Sequence, residues 1–178
     1  MKINFVDIPA DTKSMPVLNY KKINMKSVEV KSPPSPRVIH RLCKTCLEHD
    51  GLGLAAPQVG IFDRIFVTRT FDSPENEPSF WVYINPTWKA IADQGKSSQE
   101  EGCLSVPGLG FSVNRWEAIE ASWVEWDLHG PTKITRVLSG IEARVFQHEH
   151  QHLSGISIVD VGISQKSCDA DTKSSASH

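Results

Sequence analysis

Five consecutive residues carry most of the chemical potential of this chain: His148-Glu149-His150-Gln151-His152. On a helix, positions 148 and 152 lie one turn apart on the same face. Two imidazoles so placed can grip one metal ion, and Glu149 stands beside them as a candidate general base. Ile141, Val145 and His148 fall on one stripe, which predicts that His148 and His152 point inward. His150 falls off that stripe and is expected to meet solvent.

A catalytic metal wants three protein ligands and an open position. A third histidine six residues past His152 would stand at position 158, where the chain has Ile158, and no Glu follows His152. Asp160 remains a candidate, in a segment that reads as extended. Upstream lies Glu100-Glu101-Gly102-Cys103-Leu104-Ser105-Val106-Pro107. Gly102 lets the backbone approach something bulky, and a thiolate at Cys103 is a good ligand for zinc or iron. A small buried apolar residue is the other reading of Cys103. The segment Gly51-Leu52-Gly53-Leu54-Ala55-Ala56-Pro57-Gln58-Val59-Gly60 is no P-loop, because no Lys-Ser/Thr follows. It is no dinucleotide fingerprint either, because a helix precedes it rather than a strand. Its small residues let an extended chain lie close, and Gln58 can offer an amide donor to a developing oxyanion. His40, Cys43, Cys46 and His49, spaced by three, imitate a second metal site. At about 100° per residue, however, His40 and His49 fall on opposite sides of one helix, so Cys43 and Cys46 read as core thiols. Cys168, in the tail, reads as a free thiol.

Three of these segments, in this order, resemble the peptide deformylase family: GLGLAAPQ at 51–58, EGCLS at 101–105 and QHEHQHLSG at 147–155. The resemblance spans roughly residues 16 to 160. It implies metal ligands at Cys103, His148 and His152, and a catalytic carboxylate at Glu149. It implies oxyanion donors at the Gln58 side chain and the Leu104 backbone N–H. It implies substrate contacts at Leu52 and Gly53, where a peptide would lie as an added strand, and a methionine pocket near Ile141 and Val145. The implied activity is metal-dependent hydrolysis of the N-terminal formyl group of formylmethionyl nascent peptides. The implied cofactor is one divalent ion, physiologically Fe²⁺, with Zn²⁺ or Ni²⁺ as substitutes. Implied partners are the formyl peptides and, transiently, the ribosome. Two rival readings share the same residues: a zinc peptidase, and an inactive relative that binds formyl peptides. Two departures from the family pattern stand out. Gln151 replaces an Asp and cannot hold an ion pair, which alters the support of the metal helix. The chain also runs into a Ser-rich tail where bacterial members usually continue into a long helix.

Several elements must position these groups. Pro34 and Pro36 allow a helix to start, and Val38, Leu42, Cys43, Cys46 and Leu47 carry it to about His49, with Asp50-Gly51 as its stop. Strands are predicted at Ile65–Val67, at Phe80–Ile84 ending before Asn85-Pro86, at Ile119–Val124 and at Lys133–Leu138. Ser139 then reads as the cap of the histidine helix, with Glu142 at capping-box spacing, and a short strand is expected at 156–161. Strands followed by helices without strict alternation predict an α+β fold, with small mixed or antiparallel sheets around a central metal-binding helix. Residues 1–34 read as an arm wrapping the body. One catalytic domain, 1–164, is expected, with a disordered tail at 165–178. The chain has 178 residues, with 39% hydrophobic and 22% charged residues and a net charge of −2. That balance provides no general electrostatic reason to bind nucleic acid. No apolar run approaches a membrane span, and the N-terminus lacks signal or transit character. A cytoplasmic monomer is the expectation, an organelle being the alternative location.

Overall fold

A computed structural model of the chain describes residues 1–70 and 78–165. Among the described residues, the elements in order are β1 (Lys2–Asn4), α1 (Pro36–Glu48), β2 (Gly53–Ala55), β3 (Ile65–Arg69), β4 (Ser79–Ala90), β5 (Lys96–Cys103), β6 (Val106–Trp116), β7 (Ala118–Asp127), β8 (Gly130–Ser139), α2 (Gly140–His152), α3 (Ile158–Val161) and β9 (Ile163–Gln165). One sheet runs β2-β3-β4-β7-β8 with β1 paired to β4, and a second runs β5-β6-β9. The strand ladders are antiparallel, and the fold is α+β as expected.

The larger sheet is covered on both faces. Ile65, Val67, Phe80, Val82 and Ile84 pack on Ile39, Leu42, Cys43 and Cys46 of α1. From the other face Phe66, Tyr83, Ile119, Ala121 and Trp123 pack on Ala143 and Phe146 of α2. The alternation along β3 and β4 is that of a strand buried on both faces. Helix α2 lies between the two sheets and touches β2, β3, β6, β7 and β8. Its buried residues, Ala143 to Glu149 and His152, run right round the helix, as befits a core helix.

The start of α1 has Pro36 in its first turn, where the missing N–H costs nothing. It stops at Asp50, which takes φ 51°, while the Gly51 N–H returns to the Cys46 carbonyl at 2.8 Å. That closure aims the chain directly into β2.

Several sequence expectations are corrected. The strand expected to end before Asn85-Pro86 continues to Ala90. It does so through a register shift between Ile84 and Thr87, with Asn85 at φ 49°. The bulge absorbs the missing N–H of Pro86, and the Asn85 amide pairs with both the N–H and the carbonyl of Val30. Ser139 does precede α2 in the N-cap position, but its side chain makes no capping bond. The expected strand at 156–161 is one helical turn, α3, in which the Asp160 carboxylate accepts the Ser157 N–H at 2.7 Å; a strand follows at Ile163–Gln165. The β5–β6 pair was not legible, because KSSQEEGC has no apolar alternation. Residues 166–178, most of the tail expected to be disordered, lie outside the described residues.

The first 34 residues form an arm as expected. Ile8, Met15 and Ile23 are buried, and backbone bonds tie the arm to the body at Gln58, Ser105 and Leu153.

Candidate metal centre and active site

Cys103 ends β5, and His148 and His152 lie on the inner face of α2. Their ligand atoms lie within 4.8 Å of one another. Cys103 Sγ stands 3.4 Å from His152 Nε2. A tetrahedral ion with metal–sulfur and metal–nitrogen bonds of ~2.3 and ~2.0 Å would separate these atoms by roughly 3.5 Å, so the residues present fit a metal ion. Burial pushes the Cys103 thiol up to about 12 and holds the His152 imidazole well below its usual range. The site therefore presents neutral, unprotonated imidazole, while its thiol needs a cation to become a thiolate. His40, Cys43, Cys46 and His49 form no such group among the described residues; Cys43 and Cys46 are fully buried core thiols.

The support of His148 is dense. The Glu101 carboxylate accepts from His148 Nδ1 at 3.0 Å, which leaves Nε2 as the lone-pair atom. Arg115 grips the same carboxylate with two bonds of 2.6 and 2.7 Å, and Arg144 adds a third at 2.8 Å. Burial alone would raise the Glu101 carboxyl, but the bonds from His148 and Arg115 outweigh it and hold it down at about 2. Arg115 also donates to Gln151 Oε1 at 3.0 Å. Gln151 therefore has a hydrogen bond to the guanidinium, without an ion pair.

Glu149 is the most unusual carboxyl group here. Its Oε2 is buried with no hydrogen-bond partner, and burial raises it to about 8. A Cβ on Gly53 would stand 2.6 Å from Glu149 Oε1 and 2.7 Å from its Cγ. Gly53 is thus the residue that makes room for the carboxylate, a second reason for glycine beyond close approach of a peptide.

Gln58, in the turn after β2, is 1% exposed. Its Oε1 accepts the Ala55 N–H at 2.8 Å, and its Nε2 reaches Ser105 Oγ at 3.2 Å and lies 3.8 Å from Cys103 Sγ. These groups line one cleft of about 560 Å³ that also takes in Leu52, Gly53, Leu104, Leu109, Ile141 and Val145. Leu52, Leu109 and Ile141 are 44%, 50% and 43% exposed, so the cleft wall offers apolar surface to a ligand. The strand β2 is a sheet edge, with one side paired to β3 and the other open.

A polypeptide deformylase family model matches residues 12–167. The chain belongs to the polypeptide deformylase family. It is 39% identical over 124 residues to the peptide deformylase of Thermotoga petrophila, covering 70% of each chain. It is 35% identical over 153 residues to that of Halothermothrix orenii, covering 82% of this chain and 94% of the relative. Among solved structures, peptide deformylase from Thermotoga maritima superposes with a TM-score of 0.74 at 31% identity, covering 86% of this chain and 99% of that one. A probable peptide deformylase from Synechococcus phage S-SSM7 superposes equally well, at 0.74 and 32%, covering 83% and 99%. The chain is accordingly a hydrolase that removes the N-formyl group from nascent formylmethionyl peptides.

All ten residues singled out from the sequence line this cleft or its floor: Leu52, Gly53, Gln58, Cys103, Leu104, Ile141, Val145, His148 and Glu149 along the wall, and His152 beneath, against Cys103. The inward stripe is uneven, because Ile141 stands at the mouth while Val145 is buried. His150 is half-buried rather than free in solvent. Its ring stacks on Phe146 and meets the edge of Trp88, and burial together with Arg64 lowers it to about 4. Sequence reasoning missed Arg115 and Arg144 and gave Glu101 no role. A carboxylate two residues before a candidate ligand cysteine was a usable signal for Glu101; the arginines carried none.

Proposed function

We propose that Cys103, His148 and His152 hold one divalent ion, that Glu149 moves the protons, and that Gln58 and the Leu104 N–H stabilise the oxyanion. The observation that carries this assignment is the unpartnered, fully buried Glu149 Oε2 beside the three ligands. When bound, the ion supplies Lewis-acid chemistry and an activated water. Glu149 accepts a proton from the attacking water and passes it to the amine nitrogen as the formyl C–N bond breaks. The products are formate and a free methionyl amine. Charge developing on the formyl oxygen meets the Gln58 amide and the Leu104 N–H. The peptide adds to the open edge of β2 at Leu52 and Gly53, and its methionine side chain packs against Ile141 and Val145.

Fe²⁺ is the physiological ion in this reading, and the thiolate–imidazole set also accepts Zn²⁺ or Ni²⁺. The enzyme works as a monomeric catalytic unit spanning residues 1–164, in the cytoplasm, meeting the ribosome transiently. Among the described residues, no helix is long and apolar enough to cross a membrane.

Anaerobic iron-loaded protein should release formate from formyl-Met-Ala-Ser and contain one metal per chain, with one sulfur and two nitrogens seen by X-ray absorption. Cleavage of an internal peptide bond would favour a zinc peptidase. Binding without turnover would favour an inactive relative. Two metals per chain, or no sulfur ligand, would overturn the assignment of Cys103.

A further inference from the structure

We infer that Ser105 is a positioning residue that aims the Gln58 amide into the active site, and that the arm at Leu18 and Tyr20 clamps the pair. The inference rests on the reading of Gln58 as an oxyanion donor.

A carboxamide is useful in that role only if its N–H₂ end is held toward the developing charge. Its two ends are nearly the same shape, so the surroundings must choose between them. Here the Ala55 N–H, which can only donate, meets Oε1 at 2.8 Å and selects the orientation. That single bond holds the planar carboxamide only loosely, because its terminal torsion is intrinsically broad. Ser105 removes this freedom by accepting one Nε2 hydrogen at 3.2 Å. The second hydrogen is directed to the cleft side, where Nε2 donates to Cys103 Sγ at 3.8 Å. Ser105 is 1% exposed, so no bulk water can take its place as acceptor.

The two residues stand 47 positions apart in the chain, and the arm joins them on the far side. The Leu18 N–H donates to the Gln58 carbonyl at 2.7 Å, and the Tyr20 N–H donates to the Ser105 carbonyl at 3.1 Å. Asn19 between them is extended and Tyr20 opens a short 3-10 turn, so one stretch of backbone sets the spacing of the two segments. The arm thereby gains a role beyond packing, and Ser105 a role beyond filling its site.

The test is a double-mutant cycle on the metal-loaded, full-length protein. It uses wild type, Ser105→Ala, Gln58→Ala and the double variant, with kcat and KM for formyl-Met-Ala-Ser measured at verified metal content. Loss of an oxyanion donor costs ~10²–10³-fold in kcat, which sets the expectation for Gln58→Ala. Ser105→Ala leaves the donor present but unaimed, so kcat should fall by about tenfold, less than the loss of the donor itself, with KM within about twofold and metal content unchanged. In the Gln58→Ala background the same substitution should cost under about twofold, because nothing remains to aim. Ser105→Thr, which keeps the hydroxyl, should recover most of the loss. If Ser105→Ala does not fold, Ser105→Cys keeps the volume with a much weaker acceptor and carries the same expectations. An equal loss in both backgrounds, or a wild-type kcat in Ser105→Ala, would overturn the inference. A wild type that releases no formate would instead overturn the proposed function. In that case the Gln58 side-chain N–H₂ signals in ¹⁵N NMR decide separately: a proton shifted downfield and protected from solvent exchange in wild type that loses both the shift and the protection in Ser105→Ala supports the clamp, and unchanged signals refute it.

Discussion

Replacing Glu149 by Gln should weaken the enzyme and strengthen the protein. The Glu149 carboxyl is raised from 4.5 to about 8 by burial. Between those values the folded state holds a proton that the unfolded state releases, so stability falls as pH rises through the window. At ~1.36 kcal/mol per tenfold, the penalty grows from under ~1 kcal/mol near pH 5 to nearly ~5 kcal/mol near pH 9. Gln is nearly the same shape and never ionises, so the penalty vanishes in the variant. Urea unfolding of both proteins in chelator, across that pH range, isolates the effect, because every other titrating group is common to both. The variant's advantage should widen steadily with pH and level off above about pH 8. Parallel curves for the two proteins would refute the claim that burial raises the Glu149 carboxyl. With metal restored, the same substitution should lower the turnover rate by at least ~10⁴-fold, the upper end for general acid–base catalysis, since both proton transfers are assigned to this group. Metal content should stay near one per chain. A variant that keeps more than about a tenth of the rate with its metal bound would show that Glu149 is not the base.

Gly53→Ala places a methyl within 2.9 Å of three Glu149 side-chain atoms, so the carboxylate must move. Turnover should fall by about 10²-fold while metal analysis stays normal; unchanged kcat would sever Gly53 from Glu149. Glu101→Gln leaves Arg115 and Arg144, both buried, without their counter-ion and should cost ~3–5 kcal/mol in unfolding free energy. Because the Glu101 carboxyl sits near 2 when folded, the wild-type contribution is full above the ordinary carboxylate range and is lost as pH falls toward 2. Acid titration followed by circular dichroism should show that loss in wild type and not in the variant. Gln151→Asp restores an ion pair to Arg115 and should change kcat/KM by less than about tenfold, ~1.4 kcal/mol; a gain of several orders of magnitude would mean that Gln151 cripples the site.

The chemistry was legible because each of its parts is local. His148, Glu149 and His152 are ordered by helix periodicity, which five residues display without outside help. Gln58 bonds back to Ala55 within its own turn, and Cys103 follows a glycine at the end of its strand. The helix α1 was legible from an apolar stripe and proline and glycine signals that act over three or four residues. The strands that escaped notice are those whose residues owe their conformation to distant partners. KSSQEEGC pairs as β5 because β6 lies beside it, and β4 passes Pro86 because a bulge and the Val30 backbone accommodate Asn85.

The identity and order of the candidate site residues were written in the chain, since periodicity and turn chemistry act between near neighbours. Their protonation, aim and support were decided by folding. Glu149 is an ordinary carboxylic acid until α2 is enclosed between two sheets and loses its water. Glu101 becomes a fixed anion only where Arg115 and Arg144 converge on it from β6 and α2. His150, polar in any reading of the sequence, ends up stacked on Phe146 because the larger sheet covers that side of the helix. These properties depend on desolvation and on contacts between residues tens of positions apart, quantities that exist only once the chain has closed on itself.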